Sequence, residues 1–148
     1  MNSIGKLYGM FVAMILMFFF PMEWAENEAA ELEQEQVIRI TDSFAKSLCA
    51  DGEMTEEALM AFRTKLNAMK TFYGVEIECV REIYEPDEDE PGNVVTYDSY
   101  VGNGEITDRA GTEGKYKFYR GDRIYVTVCD SGNLMIKRTG VVTGEKNR

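Results

Sequence analysis

The chain has 148 residues, enough for one small domain with an attached segment, and 26 acidic against 16 basic side chains give a net charge of −10. This charge repels phosphate backbones, so we expect no nucleic-acid partner. The sequence contains no histidine, which removes the commonest general base and the commonest metal ligand. We therefore expect a protein that is not an enzyme and has no cofactor.

Residues 7–22 form an uncharged apolar run, LYGMFVAMILMFFFPM. As a helix the run would span about 24 Å, slightly less than a hydrocarbon core of about 30 Å. Lys6 precedes it and acidic residues follow it, which favours a cytoplasmic N-terminus and an outer location for the rest of the chain. We predict a membrane or filament-core helix over residues 1–22, with contacts made by Met10, Phe11, Val12, Met14, Ile15, Leu16, Phe18, Phe19, Phe20 and Glu23.

A cleaved secretory signal has the same order of charges, so it is an alternative to a retained anchor. Its cleavage site needs small residues, whereas the nearest match here, Glu23-Trp24-Ala25, offers an acid and a bulky ring. A buried core helix is a third interpretation, and it is disfavoured because the run is apolar on every face. Glu23 either faces interfacial water or pairs with Lys6 or the N-terminal amine of a neighbouring subunit.

Residues 23–50 continue as a helix that begins as a polar stem and becomes amphipathic. Its apolar stripe is formed by Val37, Ile40, Phe44 and Leu48. We expect the helix to stop at Gly52, which can adopt a left-handed conformation. Thr55 should cap a second, short helix ending near Lys70. The apolar face of that helix is formed by Leu59, Phe62, Leu66 and Met69.

The apolar period then changes to two, which predicts strands. Residues 75–84 should form a strand with one wet face, and residues 94–101 a second strand after a charged loop. The four glycines in residues 102–114 predict a loop. We expect residues 116–119 to pair with residues 123–129 as a hairpin.

A turn over residues 130–133 should precede the last strands, at residues 134–137 and 140–142. The predicted class is therefore α+β, with a long N-terminal helix, a short second helix and a small antiparallel sheet. The domain prediction is an apolar segment over residues 1–22, a stem and amphipathic helix over residues 23–50, and a head over residues 51–148.

Residues 40–78, ITDSFAKSLCADGEMTEEALMAFRTKLNAMKTFYGVEIE, resemble the front of pilin-like subunits of Gram-positive Tad-type (type IV) pilus systems. Residues 115–128, KYKFYRGDRIYVTV, and residues 140–145, GVVTGE, resemble the later hairpin and closing strand of that family. The resemblance implies a structural subunit held in the cytoplasmic membrane and extracted into a cell-surface filament or a pseudopilus. Its implied partners are the lipid bilayer, copies of itself or related pilin subunits, and the pilus assembly machinery.

One departure from that family bears on the role of the subunit. Type IV prepilins are cut after a glycine, and the fifth residue of the mature chain is glutamate. Here the matching glycine is Gly9, the fifth residue after it is Met14, and residues 10–20 contain no acid. This departure favours a minor or accessory subunit. The alternative function is a monomeric, membrane-anchored extracellular binding module with the same topology.

The charged loop also resembles a calcium-binding loop, because carboxylates alternate there and a glycine follows in sixth place. The candidate ligands are Asp87, Asp89 and Asp98, but Pro91 and the aspartate at the twelfth position depart from the pattern. A solvated acidic loop is the preferred interpretation.

Two further patterns have a functional and a structural interpretation. Arg120-Gly121-Asp122 spells an integrin-binding tripeptide, but a plain turn between strands is preferred. Cys49, Cys79 and Cys129 provide either one disulfide and one thiol, or three small buried apolar side chains.

Overall fold

The computed structural model describes residues 2–69, 72–86, 93–130 and 133–144. The chain forms two compact units, Met1–Gln36 and Val37–Arg148. Helix α1 (Asn2–Asp51) supplies the first unit and continues into the second. We call the second unit the head. It combines helices with antiparallel strands, so the predicted α+β class is confirmed.

The described part of the head contains two further helices and six strands. In chain order they are β1 (Glu53–Thr55), α2 (Glu56–Asn67), β2 (Tyr73–Pro86), β3 (Val94–Val101), α3 (Asn103–Glu113), β4 (Lys115–Lys117), β5 (Arg123–Asp130) and β6 (Asn133–Val141). Four of the strands form an antiparallel sheet in the order β3-β2-β5-β6. The two short strands, β1 and β4, pair antiparallel with each other.

The junction between α1 and α2 follows the sequence prediction. Gly52 has a φ of 65°, the left-handed conformation that ends a helix at low cost. The Thr55 hydroxyl oxygen accepts a hydrogen bond from the Ala58 N–H at 3.2 Å and so caps α2. The amides of Thr143 and Gly144 donate to the Cys49 carbonyl, which gives one of the last carbonyls of α1 its partners.

The core of the head lies between the helices and one face of the sheet. In register, Ile77 lies opposite Val126 and both are fully buried. Helix α1 contributes the buried residues Val37, Phe44, Ala45 and Leu48. Helix α2 adds Leu59, Phe62 and Leu66. The amphipathic second half of α1 therefore belongs to the head core.

The predicted loop over residues 102–114 is wrong, because most of it is helix α3. Ile106 and Ala110, one turn apart, are buried against the core, and Arg109 pairs with Glu105 at 2.8 Å. Gly114 ends the helix in a left-handed conformation. Tertiary burial of one narrow stripe outweighs the low helix propensity of the glycines.

The predicted hairpin of residues 116–119 with residues 123–129 is also wrong. Strand β4 pairs with β1, with Met54 opposite Tyr116, while β5 lies between β2 and β6. The two predicted last strands are one continuous strand, β6, with an irregularity opposite Val128 and Cys129. The first difference arises from pairing between segments that are distant in sequence, whereas β6 pairs along its length with β5, the strand directly before it.

Candidate functional site

The first part of α1 contains a segment, Ser3–Met22, that is long and apolar enough to cross a membrane. All of its residues have exposed side chains. Its 20 residues correspond to about 30 Å of helix, the thickness of a hydrocarbon core. A signal sequence near an N-terminus has the same properties, so these features alone leave the retained and cleaved alternatives open.

Nine of the predicted contact residues lie in this segment with exposed side chains. Their exposed fractions range from 38% for Val12 to 75% for Phe20. The others are Met10, Phe11, Met14, Ile15, Leu16, Phe18 and Phe19. They surround the helix and carry no hydrogen-bonding group except the weakly accepting sulfur of methionine, so the chemistry they offer is apolar contact. The side chain of Glu23 lies outside the described part of the structure.

In the head, Asp122 and Arg81 form a buried ion pair. Arg81 Nε donates to Asp122 Oδ1 at 3.0 Å and Arg81 Nη2 donates to Oδ2 at 2.7 Å. The Tyr119 N–H donates to Oδ2 at 2.9 Å, and the Arg81 guanidinium lies 4.0 Å from the centroid of the Tyr119 ring. Burial opposes ionisation of Asp122, but these hydrogen bonds outweigh it and hold its pKa below the ordinary value.

The buried pair excludes the adhesive interpretation of Arg120-Gly121-Asp122. Asp122 is only 2% exposed and its carboxylate is already bound, so it cannot reach another protein. The Asp122 backbone instead bonds within the turn and to the segment after β6: its N–H donates to the Tyr119 carbonyl, and its carbonyl accepts from the Val142 N–H. The tripeptide is a structural turn, which is the interpretation that the sequence favoured.

All three cysteines are free thiols in the structure. Cys79 is fully buried, and burial together with the neighbouring Asp122 charge raises its pKa to about 12. A thiol in that state is a poor nucleophile. Cys49 and Cys129 are half-buried.

The calcium candidates do not come together in the described structure. Asp98 on β3 pairs with Arg123 on β5 at 2.8 Å, across the intervening strand β2. Asp87 and Asp89 lie outside the described residues. Within the described ranges, no group of three acidic, cysteine or histidine side chains is placed to hold a metal ion.

A pocket of about 300 Å³ in the head brings together four cationic side chains. We call it the basic pocket, and it is lined by Arg81, Arg109, Lys115 and Lys117, with the rings of Tyr116 and Tyr119 and one carboxylate, Glu113. Sequence reasoning missed it because its residues come from β2, α3, β4 and the following turn. The only local signal is the alternation Lys115-Tyr116-Lys117, which places both lysines on one side of a short strand.

A second feature that the sequence did not reveal is the part of the β2–β3 pair that extends beyond strand β5. Strand β2 pairs with β5 only as far as Val80, whereas it pairs with β3 as far as Pro86. Residues 81–86 and 94–99 thus form a two-stranded ribbon beyond the sheet, which we call the β-arm. Tyr84 and Val94 on the β-arm are 65% and 56% exposed.

Searches of protein-family models, curated proteins and solved structures find no match to this chain.

Proposed function

We propose that this chain is a pilin-like structural subunit, anchored in the cytoplasmic membrane by the apolar part of α1 and assembling with like subunits into a surface filament or pseudopilus. The observation that carries the proposal is the composition of α1. One uninterrupted helix has 20 residues of uncovered apolar surface at its start and buried head-core residues at its end.

The uncovered segment needs an apolar environment, because its large side chains are exposed on every face. A bilayer supplies that environment before assembly, and the corresponding helices of other subunits supply it afterwards. Moving from lipid to sister helices exchanges one set of apolar contacts for another with little net hydrophobic gain. Such a helix can therefore serve both as an anchor and as a packing element.

The distribution of basic residues gives the proposed orientation. Lys6 lies near the start of the segment, and the next basic residue along the chain is Arg39. The exposed Glu28 and Glu31 lie between them. This arrangement favours a cytoplasmic N-terminus with the head on the outer side.

The alternative is a membrane-anchored extracellular binding module that acts as a monomer. The basic pocket favours it, since a concave site with several cations is suited to an anionic ligand. Both functions require the same anchor. They differ in whether the apolar segments of separate copies touch.

Crosslinking in intact cells separates the two functions. A photoreactive amino acid placed at Phe18, which is 74% exposed, should give a ladder of dimers and higher oligomers if subunits pack through α1. The same group at Phe72, an 88% exposed head residue, controls for random collisions. If Phe18 yields only lipid adducts and monomer at native expression levels, the assembly proposal is wrong and the binding module remains.

The anchor itself is tested by fractionation and N-terminal sequencing of the native protein. We expect a membrane-bound chain that still contains the Ser3–Met22 segment or its larger part. A freely dissolved protein beginning downstream of Trp24 would identify the segment as a cleaved signal and would rule out assembly through it.

A further inference from the structure

We infer that the β-arm of one copy docks in the basic pocket of another copy, an inference that rests on the proposed assembly because the apolar helices bring the heads together. Two features of the head lead to it, and they share Arg81 at the base of the β-arm. One is a ribbon that its own sheet leaves uncovered, and the other is a pocket of opposite charge.

The β-arm lacks the support that a ribbon of its kind normally has. An isolated two-stranded hairpin is marginally stable in water, and a third strand or a packed layer is needed to hold it. Among the described strands, residues 81–86 have only β3 as a neighbour. Four large side chains of the β-arm are at least 42% exposed: Tyr84, Val94, Val95 and Tyr97. Burying them against another surface would supply the missing support.

The β-arm is also acidic, because its β2 strand carries Glu82 and Glu85 with exposed side chains. Tyr97 Oη donates to Glu85 Oε1 at 2.6 Å, which holds that carboxylate beside an aromatic ring. The only basic residue in the ribbon is Arg81 at its base, where it is bound to Asp122. The rest of the ribbon thus presents carboxylates and apolar groups together.

The basic pocket offers the complementary groups. Lys117 is exposed and makes no ion pair with any residue in the described part of the chain. Arg109 and Lys115 have intramolecular partners, Glu105 at 2.8 Å and Glu53 at 3.3 Å, but the cationic side chains stay 56% and 47% exposed. Their remaining N–H groups can bind a further carboxylate. The Tyr119 ring, 63% exposed, provides an apolar surface beside them.

Charge complementarity selects the β-arm as the occupant. The chain has a net charge of −10, so a second copy approaches against overall repulsion. Contact between heads is favoured where local charges are opposite, and the basic pocket holds 4 of the 16 basic residues beside one carboxylate, Glu113. The acidic β-arm meets this requirement and gains burial of its exposed valines and tyrosines.

The inference is tested on the full-length protein in intact cells with a zero-length carbodiimide crosslinker, which joins a lysine amine to a carboxylate. Cells are transferred from ¹⁴N to ¹⁵N medium during expression, so that each cell contains both isotopic forms of the protein. Mass spectrometry then identifies intermolecular links as peptides that join the two forms. We expect links from Lys117 to Glu82 or Glu85 between copies. The intramolecular pair Lys115–Glu53 should crosslink in every sample and is the internal positive control.

Charge reversal adds a functional readout. Lys117→Glu should reduce the stability of the oligomers about fivefold, and Glu82→Lys with Glu85→Lys should do the same. Combining the reversals should restore most of the oligomers. Arg63→Glu, the same kind of change on the exposed surface of α2, is the matched control and should have no effect. High salt, at about 0.5 M, should weaken the contact because it screens charges beyond about 4 Å.

Three results would overturn the inference, each in a distinguishable way. If the photocrosslinked ladder through Phe18 persists while Lys117→Glu has no effect, the docking is wrong and the proposed assembly stands. If no ladder forms at all, both are wrong. If Lys117→Glu weakens the oligomers but reversal of Glu82 and Glu85 fails to restore them, the pocket binds a different anionic partner and not the β-arm.

Discussion

The ring of Phe44 stacks on the ring of Phe62 with centroids 4.1 Å apart and planes within 5° of parallel. Both rings are buried, at 7% and 2% exposure, so the contact joins the head part of α1 to α2 through the core. Parallel aromatic contact adds to the burial of apolar area. The place of α1 in the head therefore depends on this pair.

Replacing Phe44 with alanine should lower the free energy of unfolding of the head by about 3–5 kcal/mol, because it opens a cavity beside Phe62. The measurement is denaturant unfolding of the full-length protein in detergent, followed by tyrosine near-UV circular dichroism. Phe72→Ala removes an equal ring that is 88% exposed and should change stability by less than about 0.5 kcal/mol. Equal effects of the two substitutions would contradict the packing of α1 in the core.

Gly140 on β6 lies directly against the Cys49 thiol of α1, and a Cβ built at Gly140 would collide with Sγ. Gly140→Ala should therefore destabilise the head by about 1–3 kcal/mol. In a Cys49→Ala background the sulfur is absent, so Gly140→Ala should leave the stability of the head almost unchanged. Unfolding of the four variants forms a double-mutant cycle, and an additive cycle would refute the contact.

Gly111→Ala is the matched control for Gly140→Ala. Gly111 lies in α3, and a Cβ built there meets nothing within 4 Å. Alanine has a higher helix propensity than glycine, so this substitution should stabilise the head by about 0.5–1 kcal/mol. The two glycine-to-alanine changes should thus shift the unfolding midpoint in opposite directions.

The sequence predicted those parts of the fold that depend on local signals. The left-handed Gly52, the Thr55 cap and the alternation that begins at Val75 are all present. The apolar stripe from Val37 to Leu48 correctly indicated the buried side of α1. Each of these signals lies within a few residues of the structure that it specifies.

The parts that could not be predicted depend on contacts between distant segments. Helix α3 contains Gly104 and Gly111, and its burial rests on Ile106 and Ala110 alone. Strand β4 has three residues and exists through its pairing with β1, some 60 residues earlier. The residues that line the basic pocket, apart from Arg81, lie within residues 109–119, and the sequence did not reveal the pocket because residues 102–114 were predicted to be a loop and not helix α3.

The Arg81–Asp122 pair should make stability depend on pH. The pKa of Asp122 lies below its ordinary value of 3.8 in the folded protein, so the folded state favours the ionised carboxylate. The contribution of this ionised carboxylate to the free energy of unfolding is complete at pH values above the ordinary pKa. It is lost as the pH falls through the lower pKa of the folded protein. Asp122→Asn should cost about 3 kcal/mol at neutral pH, since Arg81 then lacks its partner but stays 30% exposed.

The difference in unfolding free energy between the native protein and Asp122→Asn should shrink as the pH falls below about 4. The measurement is urea unfolding across pH 2.5 to 7. Asp42→Asn is the control, because Asp42 also has a lowered pKa but its side chain is 41% exposed and pairs with Lys46 and Arg138. Asp42→Asn should change the free energy of unfolding little at any pH. A constant difference for Asp122→Asn would mean that the carboxylate is not selectively ionised in the folded state.

A charge in the middle of the apolar segment should weaken the proposed membrane anchor. Met14 lies near the centre of Ser3–Met22, and lysine at the centre of a membrane helix costs about 2.5–3.5 kcal/mol of insertion free energy. Met14→Lys, or equally Leu16→Lys, should shift protein from the membrane pellet to the soluble fraction and abolish the ladder through Phe18. Met60→Lys makes the same chemical change at a 57% exposed position of α2 and should leave both unchanged. If Met14→Lys stays in the pellet as fully as Met60→Lys does, the membrane contact is made elsewhere in the chain.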